Sequence, residues 1–253
     1  MPDEQLNQGA FYEKVVYVRM FGHFELENRI GSVVEEQARK PSLSWPLLKY
    51  LLVNRGREVD QEELLGTIWP ERHGPEEENA ARVRLNRLRA YLKPLGLDGR
   101  HGLVLYHNQK YILNPQYEIC TDADCFDELM LQIRALPVND PDGLHLCGRA
   151  LELYRGPYLK YTKDDFWLDQ IRESYSEEFH ELVFNTVDRM LATGDDKLLR
   201  FLSSRVLDLL PSDLELHKAI LNCYAHFGRD AERKRYTVQL MRTGLISDWL
   251  SSL

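Results

Sequence analysis

ARVRLNRLRAYLKPLG, residues 81–96, combines a regular leucine spacing with a dense run of basic side chains. Ala81 and the leucines that follow it are spaced by four, three, four and three residues, which places them on one stripe of an α-helix. The basic side chains fall on the flanks of this stripe and on the opposite side. They are Arg82, Arg84, Arg87, Arg89 and Lys93. The pattern predicts a helix that leucines anchor to a core and that directs positive charge outward.

The positive charge is confined to this part of the chain. The 253 residues include 40 acidic and 32 basic side chains, for a formal net charge of -8. Residues 79–117 nevertheless carry 7 basic side chains and one acidic one, whereas residues 118–253 carry 16 basic and 24 acidic ones. A basic surface attracts phosphate and an acidic surface repels it. The charge distribution therefore favours nucleic-acid binding by the central segment.

Strand and helix signals precede the basic segment. Residues 15–26 alternate like one or two short strands, and another strand is possible near residues 30–34. Residues 45–54 carry an apolar stripe after Pro and Ser and before a Gly, which predicts a helix. In the next segment Asp60 is a natural N-cap and Glu63 its capping-box partner, so a second helix is predicted to run up to Pro70.

The basic helix and the segment after it complete a known order of elements. Asn79 is predicted to cap the helix, with Glu76–Glu78 favouring the positive end of its dipole. Residues 103–113 alternate around a turn at His107–Lys110, as in a β-hairpin. A helix, a loop, a second helix with exposed arginines and then a hairpin is the order of a winged helix-turn-helix, whose last helix lies in the major groove.

The side chains of the basic helix suit contact with DNA. Arg binds guanine edges and Asn binds adenine edges, so the candidate base contacts are Arg82, Asn86 and Arg87, with Val83 against a thymine methyl group. The side chains nearer the leucine stripe are candidates for phosphate contacts, which fix register without reading sequence. These are Arg84, Arg89 and Lys93. An alternative stays open, in which the arginines form a solvated surface paired with Glu76–Glu78.

The hairpin turn supplies three further candidates. His107, Asn108 and Lys110 are predicted to contact the adjacent DNA backbone or the minor groove. A plain polar turn is an equal alternative for each of them.

The second half of the chain has a helical pattern. Predicted helices span residues 122–135, 142–159 with a break at 155–157, 163–193, 195–210, 214–227 and 229–243. Gly194 and Gly228 each close one helix and are 34 residues apart, the period of a tetratricopeptide helix pair. An irregular helical bundle fits this spacing as well. The predicted domains are residues 15–117 and residues 118–253.

Other classes of protein are disfavoured. The apolar runs are too short to span a membrane, and the N-terminus lacks the features of a signal peptide, which predicts a cytoplasmic protein. Four irregularly spaced cysteines give neither a disulfide framework nor a zinc motif. Phosphate-binding loops, nucleophile elbows and HExxH motifs are missing. We therefore predict no enzyme activity, no cofactor and no metal.

Several segments of both halves resemble known domains. In the first half, LLKYLLVNRGREVDQEELLGTIWPE and NAARVRLNRLRAYL are similar to the helices of the response-regulator type of winged helix, and LYHNQKYIL is similar to its wing. In the second half, DADCFDEL, ALELYRGPYL and WLDQIRESYSEEFHELV resemble the bacterial transcriptional activator domain. The two together resemble the Streptomyces antibiotic regulatory protein family and its relatives in other bacteria. The resemblance implies an α+β winged helix-turn-helix domain followed by an all-α, tetratricopeptide-like helical domain.

The resemblance also implies a function and its partners. It implies a transcriptional regulator that binds double-stranded DNA through helix 79–93 and the wing. The helical domain would mediate self-association or contact with the transcription machinery, and the acidic loop 71–78 would approach RNA polymerase. We expect an activator that binds direct repeats as a homodimer. The competing hypothesis is a tetratricopeptide-like adaptor whose winged helix binds a protein instead of DNA.

Overall fold

Strands and helices alternate in the first half of the chain, and helices follow in the second half, which confirms the predicted fold class. This computed structural model describes residues 14–36, 42–69, 75–98, 101–162 and 166–244. The chain divides into two units. The first consists of the residues up to Asp122 together with Tyr158–Gln170, and the second of Ala123–Pro157 together with the residues from Ile171 onward.

The first unit contains two sheets and a set of helices. Its strands are β1 (Val15–Arg19), β2 (Glu25–Asn28), β3 (Val33–Glu35), β4 (Val59–Asp60), β5 (Val104–His107), β6 (Lys110–Leu113) and β7 (Glu118–Thr121). Its helices are α1 (Trp45–Val53), α2 (Gln61–Ile68) and α3 (Pro75–Leu92), which a 3₁₀-helix extends over Lys93–Leu95. The predicted helices and the predicted hairpin are therefore all present.

The strand order places β7 beside β1. One sheet has the order β3-β2-β1-β7, in which β1 and β7 are parallel and the other pairs are antiparallel. The other sheet has the order β4-β6-β5 and is antiparallel throughout. The sequence predicted neither β4 nor β7. Strand β4 is only two residues long, and β7 joins a strand that lies about a hundred residues earlier, so neither has a clear local signal.

The helices pack through the stripes that the sequence indicated. Leu47, Leu48, Leu51 and Leu52 of α1 are almost fully buried. Helix α1 packs against α2, α3 and strand β6 of the second sheet, so these leucines share a core with the leucines of α3. Burial of apolar area contributes about 25 cal/mol per Å², so such contacts hold short helices that would be marginal on their own.

One predicted capping interaction and one predicted helix start differ from the structure. Asp60 is the N-cap of α2, but its side chain accepts no capping hydrogen bond, and the predicted capping box is wrong. The Glu63 carboxylate accepts hydrogen bonds from Arg57 and Tyr50 instead. Helix α3 begins at Pro75 and not at Asn79. Proline is well suited to a first helical position because its missing N–H would have no intrahelical partner there.

A segment after α5 (Pro141–Leu153) packs in the first unit, where the sequence predicted helix up to residue 159. The Leu159 N–H donates to the Met20 carbonyl at 2.7 Å, and Leu159 has a positive φ of 48°. The ring of Tyr158 meets that of Phe21 edge-on at 6.0 Å. These contacts and β7 lie beyond residue 117, so the division at residue 118 did not anticipate them.

The second unit is helical. Besides α5, its helices are α4 (Asp122–Ala135), α6 (Phe166–Thr193), α7 (Leu199–Leu209), α8 (Leu214–His226) and α9 (Asp230–Thr243). The first residues of α6, up to Gln170, belong to the first unit. Gly194 and Gly228 have φ of 71° and 63° and follow α6 and α8, as the sequence predicted for helix ends. The segment between these glycines, which are 34 positions apart, contains α7 and α8, and these two helices pack on each other as in a tetratricopeptide repeat. Within the described residues no helix has the length and apolar character needed to cross a membrane.

Candidate nucleic-acid interface

Helix α3 buries its leucine stripe and exposes most of its basic side chains, as predicted. Leu85, Leu88 and Leu92 are at most 3% exposed, whereas Arg82, Asn86 and Arg87 are exposed. The apolar stripe therefore fixes the helix to the core of the first unit and leaves the three polar side chains in solvent.

The exposed side of α3 combines positive charge with hydrogen-bond donors and acceptors. Two guanidinium groups, one carboxamide and the half-exposed Val83 lie along it. Among the ion pairs formed between described residues, none involves Arg82 or Arg87. The alternative of a surface neutralised by Glu76–Glu78 concerns side chains outside the described residues.

Arg84 does not lie where the sequence predicted. It is only 5% exposed, and its guanidinium carbon lies 3.9 Å from the centre of the Trp69 ring. The predicted position on an outward flank, free to reach phosphate, is therefore wrong. The reason is the helical spacing, because Arg84 is three residues after Ala81 and four before Leu88 and so shares their buried side. This spacing and the nearby Trp69 were the available signals.

Arg89 and Lys93 differ in their surroundings. Arg89 is half-buried and donates from Nη2 to the carbonyl of Val104 at 3.3 Å, which ties α3 to the first strand of the hairpin. Lys93 is exposed and belongs to the 3₁₀-helix that follows α3. Lys93 is thus available to a phosphate, and the Arg89 guanidinium is partly used inside the protein.

The hairpin turn is a two-residue turn between β5 and β6. Asn108 and Gln109 both have positive φ, of 50° and 60°, which is the geometry of a type I′ turn. His107 and Asn108 are exposed at this turn. The Gln109 carbonyl accepts from the Gln61 N–H at 2.8 Å, so the turn is joined to the start of α2.

Lys110 is engaged in ion pairs at the base of the turn. Its Nζ lies 3.0 Å from a Glu58 carboxylate oxygen and 3.9 Å from one of Asp60. The hydrogen bond to Glu58 raises the pKa of Lys110. Because these pairs are solvent-exposed, they are weak, and an approaching phosphate can compete for the ammonium group.

Beneath α3, a tyrosine links the hairpin to the basic side chains. Tyr111 is fully buried in β6, and its ring centre is 4.6 Å from that of Tyr106. Burial raises the pKa of the Tyr111 phenol, and the charges of Arg82 and Arg89 oppose that rise. The Tyr106 hydroxyl in turn donates to the Gln61 side chain at 2.7 Å. The hairpin is therefore fixed against both α2 and α3.

A three-helix unit whose last helix exposes basic side chains beside a hairpin defines a winged helix-turn-helix, here followed by a helical domain. Residues 121–237 match the family of the bacterial transcriptional activator domain. The structure of Mycobacterium tuberculosis EmbR in complex with a low-affinity phosphopeptide is similar to 92% of this chain, with a TM-score of 0.63 and 18% sequence identity. This chain covers 60% of that EmbR chain. No curated protein matches the sequence.

These findings confirm the resemblance that the sequence suggested. The family match identifies the helical half as a bacterial transcriptional activator domain, and the likeness to EmbR confirms the order of the two folds. The chain thus combines a winged helix-turn-helix unit with a helical half that matches the bacterial transcriptional activator domain, and its fold is similar to that of EmbR.

Proposed function

We propose that this protein regulates transcription by binding specific double-stranded DNA sequences, with α3 in the major groove and the β5–β6 hairpin against the neighbouring backbone. The exposure of Arg82, Asn86 and Arg87 on a helix that its leucines hold in place supports this proposal most directly. These groups offer the bidentate donors and acceptors that recognise base edges.

The candidate residues divide into two roles. Arg82, Asn86 and Arg87 are the proposed base-reading residues, and Val83 is proposed to contact a thymine methyl group. Lys93, His107, Asn108 and Lys110 are proposed phosphate or sugar contacts, with a smaller contribution from Arg89 because one of its amino groups is bound to Val104. Arg84 is left out of the DNA surface because it is buried.

The proposal also covers cellular location, oligomeric state and the contact with the transcription machinery. We propose a cytoplasmic activator that binds direct repeats as a homodimer and contacts RNA polymerase, with residues 15–117 and 118–253 as its functional domains. The family of the helical half supports an activating role. The proposed contact with RNA polymerase through residues 71–78 rests on the family resemblance, since residues 71–74 and the side chains of 75–78 lie outside the described part of the chain.

Fluorescence anisotropy with the DNA upstream of the protein's own coding sequence tests DNA binding. We expect saturable binding whose affinity falls steeply between 50 and 200 mM salt, the range over which phosphate contacts weaken markedly. Arg87→Ala should weaken binding to the best site by about 1–3 kcal/mol and relax its specificity. Lys93→Ala should weaken all sequences alike and lower the salt slope by about one.

Arg233→Ala is the matched control, since it removes an exposed helical arginine of the second unit. Its binding should equal that of the wild type. If the wild type shows no saturable DNA binding even at low salt, the protein-binding adaptor is favoured. Equal binding by wild type, Arg87→Ala and Lys93→Ala would remove the assignment of these residues but leave DNA binding in place.

A further inference from the structure

The contact between Arg84 and Trp69 joins the two helices of the helix-turn-helix. Trp69 follows α2 directly, and its N–H donates to the Leu65 carbonyl at 3.0 Å. Arg84 lies near the middle of α3. The guanidinium therefore meets the aromatic ring at the point where α2 ends, 3.9 Å from the ring centre. That distance is well within the range of a cation–π contact.

Burial distinguishes this arginine from its neighbours on the same helix. Arg84 is 5% exposed and Trp69 is 7% exposed, whereas Arg82 and Arg87 are exposed. An arginine with so little exposed surface has no free path to a phosphate. A cation–π contact gains strength when both groups are shielded from water.

We infer that Arg84 is a positioning residue of the recognition helix, which orients the exposed side of α3 by stacking on Trp69 and makes no contact with DNA. This inference rests on the proposed DNA binding. The stack fixes the rotation of α3 relative to the end of α2, and Arg82 and Arg87 move with that rotation. Base recognition by paired hydrogen bonds requires close alignment, so a small rotation weakens it.

The chemistry of the side chain favours arginine at this position. The guanidinium is planar, it is less strongly hydrated than an ammonium group, and it can lie flat against an indole. Lysine carries the same charge on a compact, well-hydrated group and stacks poorly. An imidazole is planar and is neutral at pH 8, because its ordinary pKa is about 6.5. The variants Arg84→Lys and Arg84→His therefore separate charge from planarity.

DNA titrations of these variants at pH 8 and at several salt concentrations test the inference. We expect Arg84→Lys to bind the best site about tenfold more weakly, because misalignment of α3 would remove part of one bidentate base contact. Its salt slope should be unchanged, because no phosphate contact is lost. Arg84→His should stay closer to the wild type, also with an unchanged slope. A phosphate contact predicts the reverse order, with Arg84→His losing affinity and its salt slope falling by about one. That reversed order would overturn the inference.

Trp69→Leu and the double variant Arg84→Lys/Trp69→Leu provide a second test. If the two side chains act through their mutual contact, the double variant should bind DNA no more weakly than Trp69→Leu alone. If the double variant loses as much DNA affinity as the two single variants together, the inference is overturned. Thermal melting of each variant identifies any that fail to fold. DNA affinities are compared only among variants whose melting temperature matches that of the wild type.

The result for Arg87→Ala separates this inference from the proposed function. If the wild type binds DNA, Arg87→Ala weakens that binding and Arg84→Lys leaves it unchanged, only the positioning role of Arg84 is overturned. A wild type that binds no DNA would overturn the proposed function, and the positioning role with it.

Discussion

Replacing Lys49 with methionine should strongly destabilise the first unit. Lys49 is fully buried in α1, and its ammonium group lies 2.5 Å from a carboxylate oxygen of Glu36. It also donates to the Thr162 hydroxyl at 2.7 Å. Methionine preserves most of the volume but removes the charge and its hydrogen bonds, and it leaves the Glu36 carboxylate, of which only 8% is exposed, without that cation.

The magnitude follows from two opposing effects. At 2.5 Å and an effective dielectric constant of about 20, the attraction between the two charges is about 7 kcal/mol. Desolvation costs several kcal/mol for each ion, so the intact pair contributes little net stability. Loss of one partner removes the attraction and leaves the other ion desolvated, which costs about 3–5 kcal/mol. With a urea m-value of about 2 kcal/mol/M, the midpoint should fall by about 2 M.

Tryptophan fluorescence during urea unfolding measures this change. Trp45, Trp69 and Trp167 all belong to the first unit, so the signal mainly reports on that unit. Lys197→Met is the matched control, because Lys197 pairs with Asp195 at 2.8 Å while its side chain is 85% exposed. An exposed pair of this kind contributes little to stability because water screens it, so the control should unfold almost as the wild type does.

A double variant sharpens the test. Glu36→Gln/Lys49→Met removes both charges and should recover most of the lost stability, because no uncompensated ion stays buried. If Lys49→Met unfolds within about 1 kcal/mol of the wild type, the pair is not desolvated to the extent that its burial indicates. If the double variant is no more stable than Lys49→Met, the loss comes from packing and not from charge.

Three further predictions concern stability. Gly143→Ala should destabilise the second unit by about 1–3 kcal/mol in thermal melts, since its Cβ would clash with the buried Arg189 guanidinium, whereas Gly148→Ala in the same helix meets only a flexible leucine side chain and should be nearly neutral. Burial lowers the pKa of His217 below its ordinary 6.5, so the unfolded chain binds the proton more tightly and stability should fall as pH drops below 6.5. The slope, at most about 1.4 kcal/mol per pH unit, should flatten in His217→Gln when urea unfolding is followed by circular dichroism between pH 5.5 and 7.5. Tyr111→Phe removes a buried hydroxyl that lacks a hydrogen-bond partner among the described residues, so the unfolding free energy should rise by about 1 kcal/mol, and a fall would show that the hydroxyl is hydrogen-bonded.

Much of the candidate interface could be predicted from local sequence. The leucine spacing of α3 gave the buried stripe, and the outward positions of Arg82 and Arg87 followed from the same helical period. The alternating residues 103–113 gave the hairpin and its turn. Such patterns are predictable because they depend on residues within one or two turns of each other.

Charged residues on the buried side of a helix were the main source of error. Helical spacing places Arg84 beside the leucine stripe, but its charge suggested a position in solvent. The aromatic ring that accommodates it belongs to another helix, so the sequence of α3 alone could not settle its position. Lys49 is a similar case, since it interrupts an apolar run in the sequence and yet is fully buried.

Local sequence was enough to show which helix is basic, which of its sides is apolar, and where glycines end the later helices. Helical period and turn chemistry act over a few residues, so these features are present in contiguous stretches. The folded structure was needed to show that Glu36 neutralises Lys49 and that Thr162, 113 residues further along the chain, accepts a hydrogen bond from it. It likewise decided that β7 completes the first sheet and that Arg84 stacks on Trp69. A charge can be buried only where a distant partner compensates its desolvation, and such partners meet only when the chain has folded.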